Sequence, residues 1–131
     1  MRTNGFTLIE LAIVIVIIGV LAAVAVPRYI DMTTQARQAQ REATLSSIRS
    51  AYAIYLARNG GNPPNWTQLV ANLDANAQLK FNGGSAYMDY DNNNAVATTG
   101  ERVALLYSND TCTTLVTNAT TAIRCVRNGI N

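Results

Sequence analysis

Apolar residues run unbroken from Leu11 to Val26, and no charged or polar side chain enters the run. Counted from Phe6 to Pro27 the stretch holds 22 residues, about 33 Å of helix, enough for the ~30 Å hydrocarbon core of a bilayer. Past Pro27 the pattern becomes helical and two-sided. Stepping about 100° per residue, Leu45, Ile48, Tyr52, Tyr55 and Leu56 share one face. Met32, Ala36, Ala39, Ala43, Ser47, Ser50 and Ile54 fall on nearly the opposite one. The bulky stripe suits cover by the chain's own globular part. The small stripe suits close approach of another helix, although Ala is also simply the best helix former. Asn59-Gly60-Gly61 stops the pattern after Arg58. A helix over 6–58 would be ~80 Å long, more than one small domain covers, so its N-terminal half must meet lipid or other subunits.

The remainder, 59–131, reads as a short helix and a small sheet. Asn65, with Gln68 three residues on, predicts a capped helix running to about Leu73. Leu79–Phe81, Ala86–Tyr90, Arg102–Tyr107 and Ile123–Val126 are candidate strands, with Leu115–Thr117 as a candidate partner of the last. Gly83-Gly84 and Asp91-Asn92-Asn93-Asn94 supply turns. The expected fold class is α+β. A long N-terminal α-helix, its hydrophobic half protruding, packs by its C-terminal half on an antiparallel sheet of about four strands.

One residue disturbs the apolar start. Glu10 is the only charge between Phe6 and Val26, and a carboxylate at the centre of a membrane helix costs about 2.5–3.5 kcal/mol on insertion scales. It therefore marks function and needs a partner. The small residue Gly5 stands before the apolar run, whereas a discarded secretory signal carries its cleavage site after it. Cleavage there would leave the hydrophobic helix on the product, as an anchor.

The segment Gly5-Phe6-Thr7-Leu8-Ile9-Glu10, followed by about twenty apolar residues, resembles the processing site of type IV pilins and of type II secretion pseudopilins. The likeness covers residues 1 to about 28. It implies a leader over 1–5, removed between Gly5 and Phe6 by a prepilin peptidase, with N-methylation of the new Phe6 amine. It also implies that 6–27 forms the transmembrane segment and later the filament core. Glu10 would pair with the Phe6 ammonium, its own or a neighbour's, because a buried charge is tolerable only when paired. Gly19 and Pro27 are the weak points of the helix: Pro27 lacks the N–H that would reach the Ala23 carbonyl and should kink it. In related pilins helical order is lost near such positions on packing, so a break between Gly19 and Pro27 is expected. Charge runs against the implied orientation, with only Arg2 before the span and Arg28, Arg37 and Arg41 after it. The motif outweighs it.

Composition narrows the chemistry. Without Arg2 the chain carries nine basic and eight acidic residues, which disfavours an electrostatically driven nucleic-acid binder. It has no His, and no nucleophile–base set is visible, so an enzyme is the least expected class. No cofactor is expected. Cys112 and Cys125 are its two cysteines. In an exported chain a disulfide is the default, worth roughly 3 kcal/mol; two free buried thiols or a two-Cys metal site are the alternatives. The likeness to pilins makes 112–125 a disulfide-bounded surface loop that contacts neighbouring subunits.

Asp89, Asp91 and Asn93 have the opening spacing of a calcium loop. The sixth position is Asn94 instead of Gly and the twelfth Gly100 instead of Glu, so a polar turn is preferred. Asn65, Asn109 and Asn118 each begin an N-x-[ST] triplet, as chance allows in a chain rich in Asn and Thr. Arg102, Arg124 and Arg127 could form a basic patch, with solvated surface as the blander reading.

The leading expectation is a structural subunit of a type IV pilus-like filament for adhesion, motility or DNA uptake. It would be stored in the inner membrane among lipid and polymerised with identical subunits by inner-membrane assembly machinery into an extracellular filament. The alternatives are a type II secretion pseudopilin, or a minor pilin binding DNA or a receptor at the tip.

Overall fold

The computed structural model describes residues 5–73, 78–95 and 100–130; residues 1–4 of the expected leader lie outside this set. The chain divides into two compact units, Met1–Ala36 and Arg37–Asn131. One helix, α1 (Leu8–Arg58), contributes to both.

In the first unit every described side chain from Phe6 to Ala36 is exposed. The helix passes unbroken through Gly19 and Pro27. Six β-branched residues in a row, Ile13 to Ile18, are poor helix formers in water, where the χ1 restriction favours a strand. In hydrocarbon that preference is overruled, because the backbone must satisfy its own hydrogen bonds. Beyond the apolar run, the hydroxyls of Thr33 and Thr34 donate back to the Ile30 carbonyl at 2.8 and 3.1 Å.

The second unit has a core of its own. From α1 come Leu45, Ile48 and Ala51, all buried, with Tyr52, Tyr55 and Leu56 half-buried. The bulky stripe is thus the covered one. Met32, Ala36, Ala39, Ala43, Ser47, Ser50 and Ile54 are exposed. Helix α2 (Trp66–Ala71) adds Trp66 and Leu69, and starts with the reciprocal Asn65–Gln68 capping box. It ends short of Leu73, where Asn72 closes the last turn.

Four strands, β1 (Leu79–Asn82), β2 (Ser85–Met88), β3 (Arg102–Tyr107) and β4 (Cys125–Asn128), form an antiparallel sheet in sequence order. Ala86, Met88, Val103, Ala104 and Leu106 pack beneath α1 and α2 with Val116 and Ile123. At the β1–β2 hairpin, Gly84 has φ +80°, and a Cβ there would lie 2.8 Å from the Leu115 Cβ. Glycine is required by both the backbone and the crowding.

Three boundaries differ from the sequence expectation. Strand β2 stops at Met88, because the Asp89 carboxylate turns to accept amides of the following turn. Strand β4 begins at Cys125 and not at Ile123, whose N–H goes instead to the Pro64 carbonyl at 2.7 Å. Leu115 bridges Tyr107 on β3 and does not pair with the last strand.

Candidate functional site

The N-terminal segment is built from the start of α1. Gly5 and Phe6 are exposed and precede the helix, Phe6 at 81% of its full accessibility. Thr7 is the cap. Its backbone N–H and its hydroxyl both donate to Oε2 of Glu10, at 2.9 and 2.8 Å, and its hydroxyl oxygen accepts the Glu10 N–H at 3.3 Å. That is a capping box, with a carboxylate at the positive end of the helix dipole. Sequence reasoning sought the Glu10 partner in the Phe6 amine and overlooked Thr7, although the Thr7-x-x-Glu10 spacing was a local signal for it.

Within the second unit the small face of α1 borders an open groove of about 420 Å³. Ala43, Ser47, Ser50 and Ile54 form one wall, and Leu73 and Leu79 stand on the other.

Cys112 and Cys125 are joined by a disulfide, with Cα atoms 5.6 Å apart. The enclosed loop is also tied down by its backbone. Ser108 N–H donates to the Thr114 carbonyl, Val116 to Leu106, Trp66 to Ala119 and Arg124 to Tyr107. Asn109 organises the tip, its carbonyl accepting the amides of Thr113 and Thr114 and its NH2 donating to threonine hydroxyls. Tyr52 on α1 donates to the Arg124 carbonyl at 3.0 Å; burial, then the nearby Asp110 charge, pushes its phenol pKa up, while Arg124 opposes them.

Asp89, Asp91 and Asn93 come together as a turn that bonds to itself. Asn93 N–H reaches Oδ1 of Asp89 at 3.1 Å, Asn94 N–H reaches Oδ2 at 3.2 Å, and the Asn93 NH2 donates to Asp91 at 2.6 Å. Lys80 makes an ion pair with Asp89 at 3.2 Å. Burial raises the Asp89 pKa, but the bonds from Lys80 and Asn94 outweigh it and hold the carboxyl below its ordinary range. Glu101 brings a third carboxylate within 4.8 Å of those of Asp89 and Asp91. Sequence reasoning missed Glu101 because it lies beyond the spacing inspected, at the foot of β3. Within this cluster Asp89 already has a cationic partner in Lys80.

Of the arginines considered as a patch, Arg124 is paired with Asp110 at 3.7 Å, and Arg127 is exposed on β4. The N-x-[ST] asparagines all serve local turns or caps. Asn118 accepts from Thr120 and Thr121 as Asn65 does from Gln68.

Residues 1–26 match the prokaryotic N-terminal methylation motif. The chain is 48% identical over 97 residues to the type IV narrow pilus major component PilA5 of Thermus thermophilus, a match spanning 74% of this chain and 79% of that one. It is 46% identical over 64 residues to the type IV major pilin PilE1 of Neisseria gonorrhoeae, covering 49% of this chain and 39% of the relative. With the type IV major pilin PilA of Myxococcus xanthus the identity is 44% over 56 residues, covering 43% and 26%. No solved structure gives a significant match. A methylation motif, a long apolar helix and a four-stranded antiparallel sheet define a pilin-class protein. The chain belongs to the type IV pilin family, as a pilin subunit of a type IV pilus.

Proposed function

We propose that the chain is a filament-forming pilin, cut between Gly5 and Phe6 by a prepilin peptidase and methylated on the Phe6 amine. Residues 6–27 hold it in the inner membrane until assembly machinery adds it to a filament of identical subunits at the cell surface. The observation that carries this reading is the Gly5–Phe6 junction. It is exposed, and two residues later begins an apolar helix whose lone carboxylate is already oriented.

Cleavage creates an ammonium four residues before Glu10. Oε2 is engaged by Thr7, and Oε1 has no hydrogen bond among the described residues, so a second donor can bind without dismantling the cap. In the filament this pairing fixes axial register, its strength raised by the low dielectric of packed helices. The small face of α1 gives neighbouring helices close approach, and the disulfide-bounded loop contacts adjacent subunits. The helix is continuous in the isolated chain, and the break between Gly19 and Pro27 is assigned to the packed state. A filament map with unbroken helix over residues 15–27 would remove that last element.

The test is mass spectrometry of sheared surface fibres. This reading expects the chain as the abundant subunit, beginning at Phe6 and carrying a methyl group. Fibres lacking the chain, or carrying it with residues 1–5 attached, would overturn it. Adhesion, motility or DNA uptake would then be assigned by comparing a strain without the chain with its parent in each assay.

A further inference from the structure

Lys80 is the only lysine in the chain; the other nine basic residues are arginines. It stands on the edge strand β1, its side chain about one-third exposed, and its Nζ touches two groups at once. One is Oδ2 of Asp89 at 3.2 Å, on a side chain with no exposed surface. The other is Oδ1 of Asn94 at 2.5 Å. The Asp89 carboxylate also takes the backbone N–H groups of Asn93 and Asn94, and the Tyr87 hydroxyl donates to the Asn94 backbone carbonyl at 3.2 Å. An amine, a carboxamide and a buried carboxylate are therefore held together by contacts from several directions. A carbonyl bond is about 1.2 Å long, so the Asn94 Cγ lies within about 3.7 Å of Nζ.

An ion pair alone does not require lysine here. Arginine serves carboxylates as well or better, through its fork of donors, and the chain uses it everywhere else. What lysine adds is an amine that can lose its proton and become a nucleophile.

We propose that Lys80 and Asn94 join in an intramolecular isopeptide bond, with Asp89 carrying the protons. A proton passes from the Lys80 ammonium to Oδ2 of Asp89, giving a neutral amine beside a neutral acid; the burial of the Asp89 side chain favours its neutral form. The Nζ lone pair attacks Cγ of Asn94 and forms the new C–N bond, while the carbonyl π electrons move onto Oδ1. Asp89 hands its proton to the amide nitrogen and accepts the second proton that Nζ sheds. The tetrahedral adduct collapses, the old C–N bond breaks, and the former amide nitrogen leaves as ammonia, which takes the second proton from Asp89 and departs as ammonium. Asp89 ends as the carboxylate it began as, the chain loses one positive charge, and no oxidant or co-reactant is consumed. The ion pair makes the reactive state rare, but the bond has to form only once in the life of each chain. It ties edge strand β1 to the turn beyond β2, so tension could not peel that edge open.

The test uses the full-length chain, purified, reduced and digested for mass spectrometry. The expected product is a branched peptide in which the segment holding Lys80 is joined to that holding Asn94, lighter than their sum by one ammonia. In the denatured protein Lys80 then resists amine-acylating reagents. Asn94→Gly, which keeps the left-handed backbone at that position (φ +57°), leaves Lys80 fully acylated. Asp89→Asn, with folding checked by circular dichroism, leaves both segments unlinked. Complete acylation of Lys80 in the denatured parent chain would overturn the proposal. So would loss of ammonia at Asn94 with the Lys80 peptide unlinked, which is the mark of a succinimide. A crosslink surviving in Asp89→Asn would overturn the role given to Asp89.

Discussion

From Leu8 to Ala36 the chain exposes Ile, Val and Leu at nearly every turn, whereas from Arg37 onward the described residues of the same types are buried or half-buried, Ile54 and Leu115 excepted. Ile17 keeps half its surface while Ile48 keeps none. Composition does not separate them, since both are isoleucines on one helix. What differs is the intended solvent. The second unit buries its apolar side chains in its own sheet and is a complete folding problem in water. The first has no interior of its own among the described residues, and its stability must come from lipid or from other chains.

That contrast can be broken at its most costly point by Glu10→Ala. The variant should reach the membrane and be cleaved, yet filament yield should fall at least ~tenfold, as expected on removing one partner of a buried charge pair. Normal yield of sheared fibres would refute the register role. Ile48→Ala should cost about 2–5 kcal/mol, read as a lower thermal midpoint of the full chain in detergent, with Ile17→Ala leaving that midpoint unmoved. Equal effects would erase the distinction between the two regions. Cys112→Ser with Cys125→Ser should cost roughly 3 kcal/mol in denaturant titration without unfolding the chain, because Val116 and Ile123 still anchor the loop. Asn65→Ala should cost about 1 kcal/mol by loss of the α2 cap.

The last effect is a change in the slope of stability against pH, confined to acid. The Asp89 carboxyl is held below its ordinary range. Its contribution is thus complete above the unfolded-state pKa and is lost as pH falls through the depressed folded value. Asp89→Asn should flatten the acid limb of the stability curve while leaving the neutral and alkaline parts parallel. An unchanged acid limb would show that the carboxylate titrates as it does in the unfolded chain.

Much of this was legible because it rests on short-range periodicity. The covered stripe of Leu45, Ile48 and Tyr52, the Asn65–Gln68 cap and the Gly83-Gly84 turn all follow from spacing within a few residues. What escaped was set by distant neighbours. Ile123 looked like strand, but its N–H is claimed by Pro64, nearly sixty residues earlier. The pairing of Lys80 with Asp89 depends on hairpin register, and Glu101 joins the acidic turn only through the fold. Thr7 is the exception: its signal was local and was obscured by the louder motif around it.

The β-branched run from Ile13 to Ile18 has a consequence for the chain's itinerary. Six such residues, uncharged and without proline, are the kind of segment that stacks into cross-β aggregates when exposed to water. A subunit released into the aqueous phase between bilayer and fibre would risk that fate on each journey. On the filament reading proposed above, transfer would be a direct handover, with the growing fibre taking hold of the helix while hydrocarbon still surrounds it. The same logic runs in reverse for any subunit that leaves the fibre, so the bilayer has to be the first place it arrives.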